Sequence, residues 1–376
     1  MLPINETIIL VVGFSISIQI CLSLFFPYLI FVQLPIYSNS IFLVMSVFTH
    51  DIENIETLYY VIAMEFTSLS VVLLFHFSGI LVYVRDLLKD LRSNFDFFTK
   101  SYVVGIIIIL VSLAFFLGAD LFSTARSFYV EMRVTSKAGG ISQFFYEFFF
   151  IFASLFSFHL SMALLMVGFL LFSGSKGVAI QPLFNYAAFT FVASGLSWKI
   201  ILILPIGFGL TYLIIYFLIQ GTDSAFMFFI KHYFDYAANL DKVTGYNVFL
   251  PNEFWNGSFN EVIPGLNRIF NIKRIEYAKF FFPDDVRFGK NPGLLGFENM
   301  SRLGIPLFYV FSLFQVFLTV VLYKLVKKTV RSDIVKFVLF MFLVFIQSFR
   351  FFWLALLVVY GLQFLRGIVL KFSRTQ

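Results

Sequence analysis

Charge is scarce in this chain. Asp, Glu, Lys and Arg make up 13% of its 376 residues, about half the usual share in soluble globular proteins. That excludes a disordered chain and a soluble nucleic-acid binder, both of which are rich in charge. Cysteine is scarcer still. Cys21 stands alone in an apolar run, which excludes an intrachain disulfide framework and a thiolate metal cage and leaves the redox compartment unread. The four histidines, His50, His76, His159 and His232, are scattered without the helical spacing that haem or copper needs. There is no His-Glu-x-x-His and no cysteine pair for zinc. Also missing are a Gly-rich loop ending in Lys-Ser/Thr and a Gly-x-Gly-x-x-Gly, the phosphate cradles of nucleotide-binding folds. No heptad or other short-period repeat is present.

What is abundant is apolar surface. Hydrophobic residues make up 60% and aromatics 21%, with 57 Phe, and the mean hydropathy is +0.91. At about 20 apolar residues per span this supplies at most about eleven crossings. The expected class is an all-α polytopic integral membrane protein. The net charge of +6 and pI near 9.2 then read first as Lys and Arg that set topology. The N-terminal stretch lacks a basic leader and a small-residue cleavage site, so a retained span or signal anchor is expected there.

The first apolar block, Thr7–Thr49, is interrupted by Pro27 and Pro35 and reads as two spans, or one span and a re-entrant piece. Acidic Asp51–Glu56 ends it. Thr57–Val84 is long enough to cross with tilt. It is followed by Arg85, Lys89, Arg92 and Lys100, a basic loop that reads as cytoplasmic. Further blocks occupy Tyr102–Phe122, Ile141–Phe172, Val178–Trp198, Ile200–Ile219, Ile305–Leu322, Ile334–Phe349 and Phe351–Val369. The cluster Lys324–Lys336 reads as cytoplasmic too. Simple alternation between the two basic regions fails unless one block crosses twice or not at all. Ile141–Phe172, long and carrying His159 and serines midway, is the expected hairpin or re-entrant segment. The expected total is about 10–12 transmembrane helices.

Gln220–Gly304 breaks this pattern. It is charged and punctuated by Pro251, Pro264, Pro283 and Pro292, too long for a turn and too polar for lipid. The expected organisation is therefore residues 1–219 as transmembrane helices with short loops, 220–304 as one large periplasmic loop domain, and 305–376 as closing helices.

The external cations are the most telling chemistry. Topology accounts for the cytoplasmic basic loops but not for Arg126, Arg133, Lys176, Arg268, Arg274 and Arg287. Guanidinium forks hold phosphate bidentately and stay charged when partly buried, so these six are candidates for a pyrophosphate site. The alternative is solvated surface charge, offset by acids such as Asp235, Glu253 and Glu276. Lys176 lies in Phe172-Ser-Gly-Ser-Lys-Gly177, where a helix break can aim an ammonium and a helix N-terminus at an anion. A snorkelling interfacial lysine is the alternative. Within the membrane, Glu65 and His76 are eleven residues apart, about three helical turns, and fall near one face. Such groups line a cavity or form packed polar contacts.

The layout resembles the bacterial O-antigen and oligosaccharide repeat-unit polymerases of the O-antigen ligase-like superfamily. The residues that carry the resemblance are Phe172–Gly177, the loop opening Lys231-His-Tyr-Phe-Asp-Tyr-Ala-Ala-Asn-Leu240, and the Gly-rich approach to the next helix, Arg287–Pro306. It extends from about Phe122 to the C-terminus. Lys176 stands where Arg is commoner in that family.

The resemblance implies a glycosyltransferase of the bacterial inner membrane, multi-pass, making O-antigen lipopolysaccharide or capsular polysaccharide. Its substrates would be polyprenyl-pyrophosphate-linked oligosaccharides in the lipid bilayer. No cofactor, metal or nucleic acid is expected, and the protein partners would be a chain-length regulator and a flippase. The proton acceptor is expected to be His232, with Glu298 as the second choice. Three rival readings remain: an O-antigen ligase, a transporter or channel, and an organelle-encoded respiratory or ATP-synthase subunit suggested by the Phe bias.

Overall fold

The computed structural model describes residues 3–48, 50–94, 102–107, 148, 151–171, 176–196, 304–346 and 349–374. These residues are helical and contain no strand. In chain order the helices are α1 (Ile4–Phe25), α2 (Ile30–Val47), α3 (Ile55–Ser78), α4 (Ile80–Ser93), α5 (Leu160–Leu171), α6 (Lys176–Ser194), α7 (Ile305–Thr329), α8 (Asp333–Val344) and α9 (Phe349–Arg374). Shorter helical stretches lie at 102–107 and 151–154. The segment 220–303 lies outside the described residues, and so do most of Tyr102–Phe122 and all of Ile200–Ile219.

Local chemistry sets the helix limits. The first apolar block divides at Phe26, where Pro27 opens a single 3-10 turn, Pro27–Leu29, that leads into α2. Asn54 caps α3 by accepting from the Glu56 amide at 2.9 Å, which satisfies one orphan donor of the first turn. The other end of α3 differs from the sequence reading. The block Thr57–Val84 is not one helix, because Gly79 adopts a left-handed conformation, φ 71°, and terminates α3 at Ser78. A β-carbon is disfavoured at that φ, so glycine is the residue suited to this stop. The chain then enters α4, so Arg85, Asp86, Lys89, Asp90 and Arg92 lie on a helix rather than in a loop. Ile80, Leu81, Val84, Leu87, Leu88 and Leu91 make its buried face, at the spacing of an amphipathic helix.

The described residues fall into two compact units. In the first, which runs to Tyr83 and resumes at Gly304, α1 packs against α2 and α3, α7 packs against α3, and α8 packs against α7 and α9. Ile8, Val12, Leu43, Val47, Leu58, Val61 and Met64 form a core here, with Ile305 and Phe308 of α7 against it. Helices on both sides of the 220–304 segment therefore share one core. Asn5 fastens one end of it. Its Nδ2 donates to the Val47 and His50 carbonyls and to Asp51 Oδ1, and its Oδ1 accepts from the Ile52 amide at 3.0 Å.

In the second unit, α5 packs on α6. The apolar block Ile141–Phe172 is interrupted at Leu155–His159, just ahead of α5. Buried Asn185 donates to Ser154 Oγ at 2.9 Å across this break. Arg92 donates to the Phe189 carbonyl at 3.2 Å, fastening the end of α4 to α6.

The surfaces of α1, α3 and α7 identify their solvent. These three helices are long and apolar enough to cross a membrane. On α7, Leu307, Val310, Phe314, Phe317, Val321 and Leu325 are exposed, while Phe311, Val316, Leu322 and Val326 are buried. A helix apolar on its outer as well as its inner face suits lipid, not water. Lys327 and Lys328 close its last turn, and Lys327 Nζ sits 4.5 Å from the Tyr83 ring centroid. Aromatic and basic side chains of this kind anchor helix ends at a membrane interface. The chain is a helical membrane protein.

Candidate functional site

The polar groups of the first unit converge inside its apolar helices. On α1, Ser15, Gln19 and Ser23 recur every fourth residue and continue the buried face of Ile8 and Val12. Residues spaced by four share one side of a helix, so polar side chains are carried to the contact with α2 and α3. Gln33 and Ser40 come from α2 and Glu65 from α3, and all six polar residues are buried. Glu65 lies near the middle of α3 and Ser15 near the middle of α1.

Glu65, 2% exposed, is held on both oxygens. Ser15 Oγ donates to Oε2 at 2.6 Å and Ser40 Oγ donates to Oε1 at 2.8 Å. Gln19 Nε2 in turn donates to Ser15 Oγ at 3.2 Å, and Gln33 Nε2 donates to the Gln19 carbonyl at 3.0 Å. Ser23 Oγ donates to the same carbonyl at 2.9 Å. Two acceptors are left over: Gln19 Oε1 and Gln33 Oε1 are buried and have no hydrogen-bond partner. No cationic side chain among the described residues bonds to Glu65. A carboxylate in this setting can hold a cation, exchange a proton, or receive a hydroxyl proton.

His76 ends the same helix, and it belongs to a different contact. Its Nδ1 lies 3.1 Å from the Tyr28 hydroxyl, its ring is parallel to that of Tyr28, and Phe26 approaches it at 4.4 Å between centroids. It is half-buried. Glu65 and His76 have different partners and do not pair with each other, being about 16 Å apart along the helix at 1.5 Å per residue.

Of the expected pyrophosphate-site residues, Lys176 is the first residue of α6, directly after the Gly/Ser break. Arg126, Arg133, Arg268, Arg274 and Arg287 lie outside the described residues, as do His232 and Glu298. His159 stacks with Tyr102 at 6.1 Å, and its carbonyl accepts from the Ala163 amide at 3.0 Å, opening α5. Ser15, Gln19, Gln33 and Ser40 were not singled out in the sequence. The signal for the α1 members is the fourfold spacing of Ser15, Gln19 and Ser23 in an otherwise apolar stretch; nothing local marks Gln33 or Ser40 as their partners.

No family model, curated protein or solved structure matches this chain.

Proposed function

We propose that this protein is a membrane glycosyltransferase that polymerises polyprenyl-pyrophosphate-linked oligosaccharide repeat units into O-antigen or capsular polysaccharide at a bacterial inner membrane. One observation carries the reading. Apolar blocks flank the long charged segment Gln220–Gly304, which is rich in Lys and Arg, and the Gly/Ser break at 172–175 stands two apolar blocks before it with Lys176 at the next helix start. Within this reading the chain has about 10–12 transmembrane helices, and the segment is a periplasmic domain.

The chemistry follows from the substrate. The bond between the anomeric carbon of the growing glycan and its pyrophosphate breaks, and a bond forms to a hydroxyl of the incoming lipid-linked unit. Charge grows on the departing pyrophosphate, and Arg126, Arg133, Lys176, Arg268, Arg274 and Arg287 are the groups to stabilise it. His232, or Glu298 in its place, takes the hydroxyl proton. The domain covers the reacting groups and keeps out water, which would otherwise hydrolyse the donor.

Deleting the gene from its host tests the reading against its nearest rival. Loss of a polymerase leaves single repeat units on lipid A–core, seen as collapse of the glycan ladder to one short band. Loss of a ligase leaves no repeat units there at all. An unchanged ladder contradicts both.

A second reading, an ion-coupled transporter, is favoured by the buried mid-helix Glu65 and its ring of hydroxyl and amide groups. The sequence has no internal duplication to support it.

A further inference from the structure

We propose that the outer face of α7, at its lysine-rich end, is a docking site for an anionic phospholipid, with Lys324 and Lys328 taking the headgroup phosphate. The inference goes beyond the glycosyltransferase reading and does not rest on it, since it uses neither the 220–304 segment nor its cations.

Contacts with α3 place that end of α7. Ile305 and Phe308 pack on the core that contains Leu58, Val61 and Met64, and Tyr309 lies 5.7 Å from Phe66 between ring centroids. Further along both stretches, Tyr323 lies 5.6 Å from Tyr83. The two helices therefore run parallel. Both are long and apolar enough to cross a membrane, so Ser78 and Thr329 finish at the same membrane face. At 1.5 Å per residue, Lys324 is about 28 Å along α7 from Ile305 and Lys328 about 34 Å, against a hydrocarbon core of about 30 Å. Both ammonium groups thus fall at headgroup depth.

The outer side of α7 carries one continuous stripe to this point. Val310, Phe314, Phe317 and Val321 are exposed and recur every third or fourth residue. The same spacing leads on to Lys324 and Lys328, both exposed. Residues so spaced share one side of a helix. Acyl chains can lie along the apolar part while the headgroup meets the lysines. Lys324 and Lys328 are four residues apart, the separation at which side chains on a helix surface are neighbours and reach a common group.

Charge selects the headgroup. The stretch Lys324–Lys336 holds Lys324, Lys327, Lys328, Arg331 and Lys336 against a single acid, Asp333. That acid is taken, for Lys336 Nζ donates to Asp333 Oδ1 at 2.9 Å. Lys327 is turned to aromatic rings, its Nζ 4.5 Å from the Tyr83 centroid and 3.4 Å from the Tyr323 hydroxyl. Among the described residues no carboxylate pairs with Lys324, Lys328 or Arg331. A zwitterionic headgroup offsets its phosphate with its own ammonium and leaves these cations unbalanced. An anionic one, such as phosphatidylglycerol, brings the net negative charge that complements them. Lysines that only set topology need no particular lipid; unbalanced lysines at the end of an apolar track discriminate between lipids.

The test uses the full-length protein in detergent with equimolar phosphatidylglycerol and phosphatidylcholine of identical acyl chains, and native mass spectrometry reads which lipid stays bound. The site predicts that phosphatidylglycerol is retained in preference by about fivefold or more. Lys324→Gln combined with Lys328→Gln brings the ratio near unity, while the Tm in phosphatidylcholine stays that of the parent. Should the double variant insert poorly, each single variant still lowers the ratio about twofold. Arg85→Gln combined with Lys89→Gln, an equal loss of charge on another helix, leaves the preference in place. No preference in the parent overturns the proposal. So does an equal fall in the Arg85 and Lys89 variant, which would make the attraction diffuse. Release of phosphatidylglycerol by millimolar inorganic phosphate overturns it too, since the lysines would then be a site for free anions.

Discussion

Ser15 Oγ and Glu65 Oε2 lie 2.6 Å apart across the contact between α1 and α3, both buried and both near the middle of their helices. The contact ties the helix-to-helix register to a buried hydrogen bond where lipid surrounds the bundle, and leaving a buried partner unsatisfied costs about 1–3 kcal/mol. Glu65→Ala, which strands two serine hydroxyls and empties a side-chain volume, is expected to lower stability by about 2–4 kcal/mol. Ser40→Ala should cost about half as much. Thermal unfolding of the purified variants in detergent measures both, and a Glu65→Ala variant as stable as the parent would contradict the contact.

Asn5 holds α1 to the stretch that joins α2 and α3 through four hydrogen bonds to Val47, His50, Asp51 and Ile52. Asn5→Ala is expected to cost about 1–3 kcal/mol. Asn5→Asp should do no better, since it keeps the acceptor for the Ile52 amide but brings a carboxylate against Asp51. Limited proteolysis at the α2–α3 connection, faster in both variants than in the parent, is the expected readout.

The orientation of the 220–304 segment can be read chemically. Cys21 is the chain's one cysteine and is exposed, so it is first replaced by Ser. A cysteine then introduced at Asn256 should react with a membrane-impermeant maleimide in intact spheroplasts. Reaction only after lysis would place the segment in the cytoplasm and remove the basis of the glycosyltransferase reading.

Arginine chemistry separates a phosphate site from surface charge. Alanine at a true clamp position among Arg126, Arg133, Arg268, Arg274 and Arg287 should abolish long glycans. Lysine at the same position should rescue poorly, because the bidentate fork is lost. Lys176→Ala belongs in the same series. Normal long glycans from all six alanine variants would contradict the pyrophosphate site.

The membrane class was legible in composition, because a lipid-facing helix must be apolar on its outer face and lipid sets its length. The spans α1, α3 and α7 overlap blocks read from hydropathy, and each extends past one end of its block. Helix limits were less legible. Gly79 stops α3 through its left-handed backbone, a signal one residue long inside an apolar run, and α4 consequently carries charges that hydropathy assigns to a loop. The Glu65 cluster was half legible. An ionisable residue inside an apolar block is conspicuous, whereas Gln33 and Ser40 are identified as its neighbours only by how α2 packs on α1 and α3. The same limit applies to Asn5, whose four partners lie more than forty residues away in the chain.

The most direct measurement is polymerisation by the purified protein, reconstituted in lipid with polyprenyl-pyrophosphate-linked repeat units as the only substrate. The account predicts a ladder of lengthening glycans formed without added metal or nucleotide sugar. It predicts that His232→Ala, inserted and folded like the parent, leaves single lipid-linked units, and that His232→Gln restores little. No lengthening by the intact protein under these conditions would contradict the glycosyltransferase reading; a full ladder from His232→Ala would move the base to Glu298.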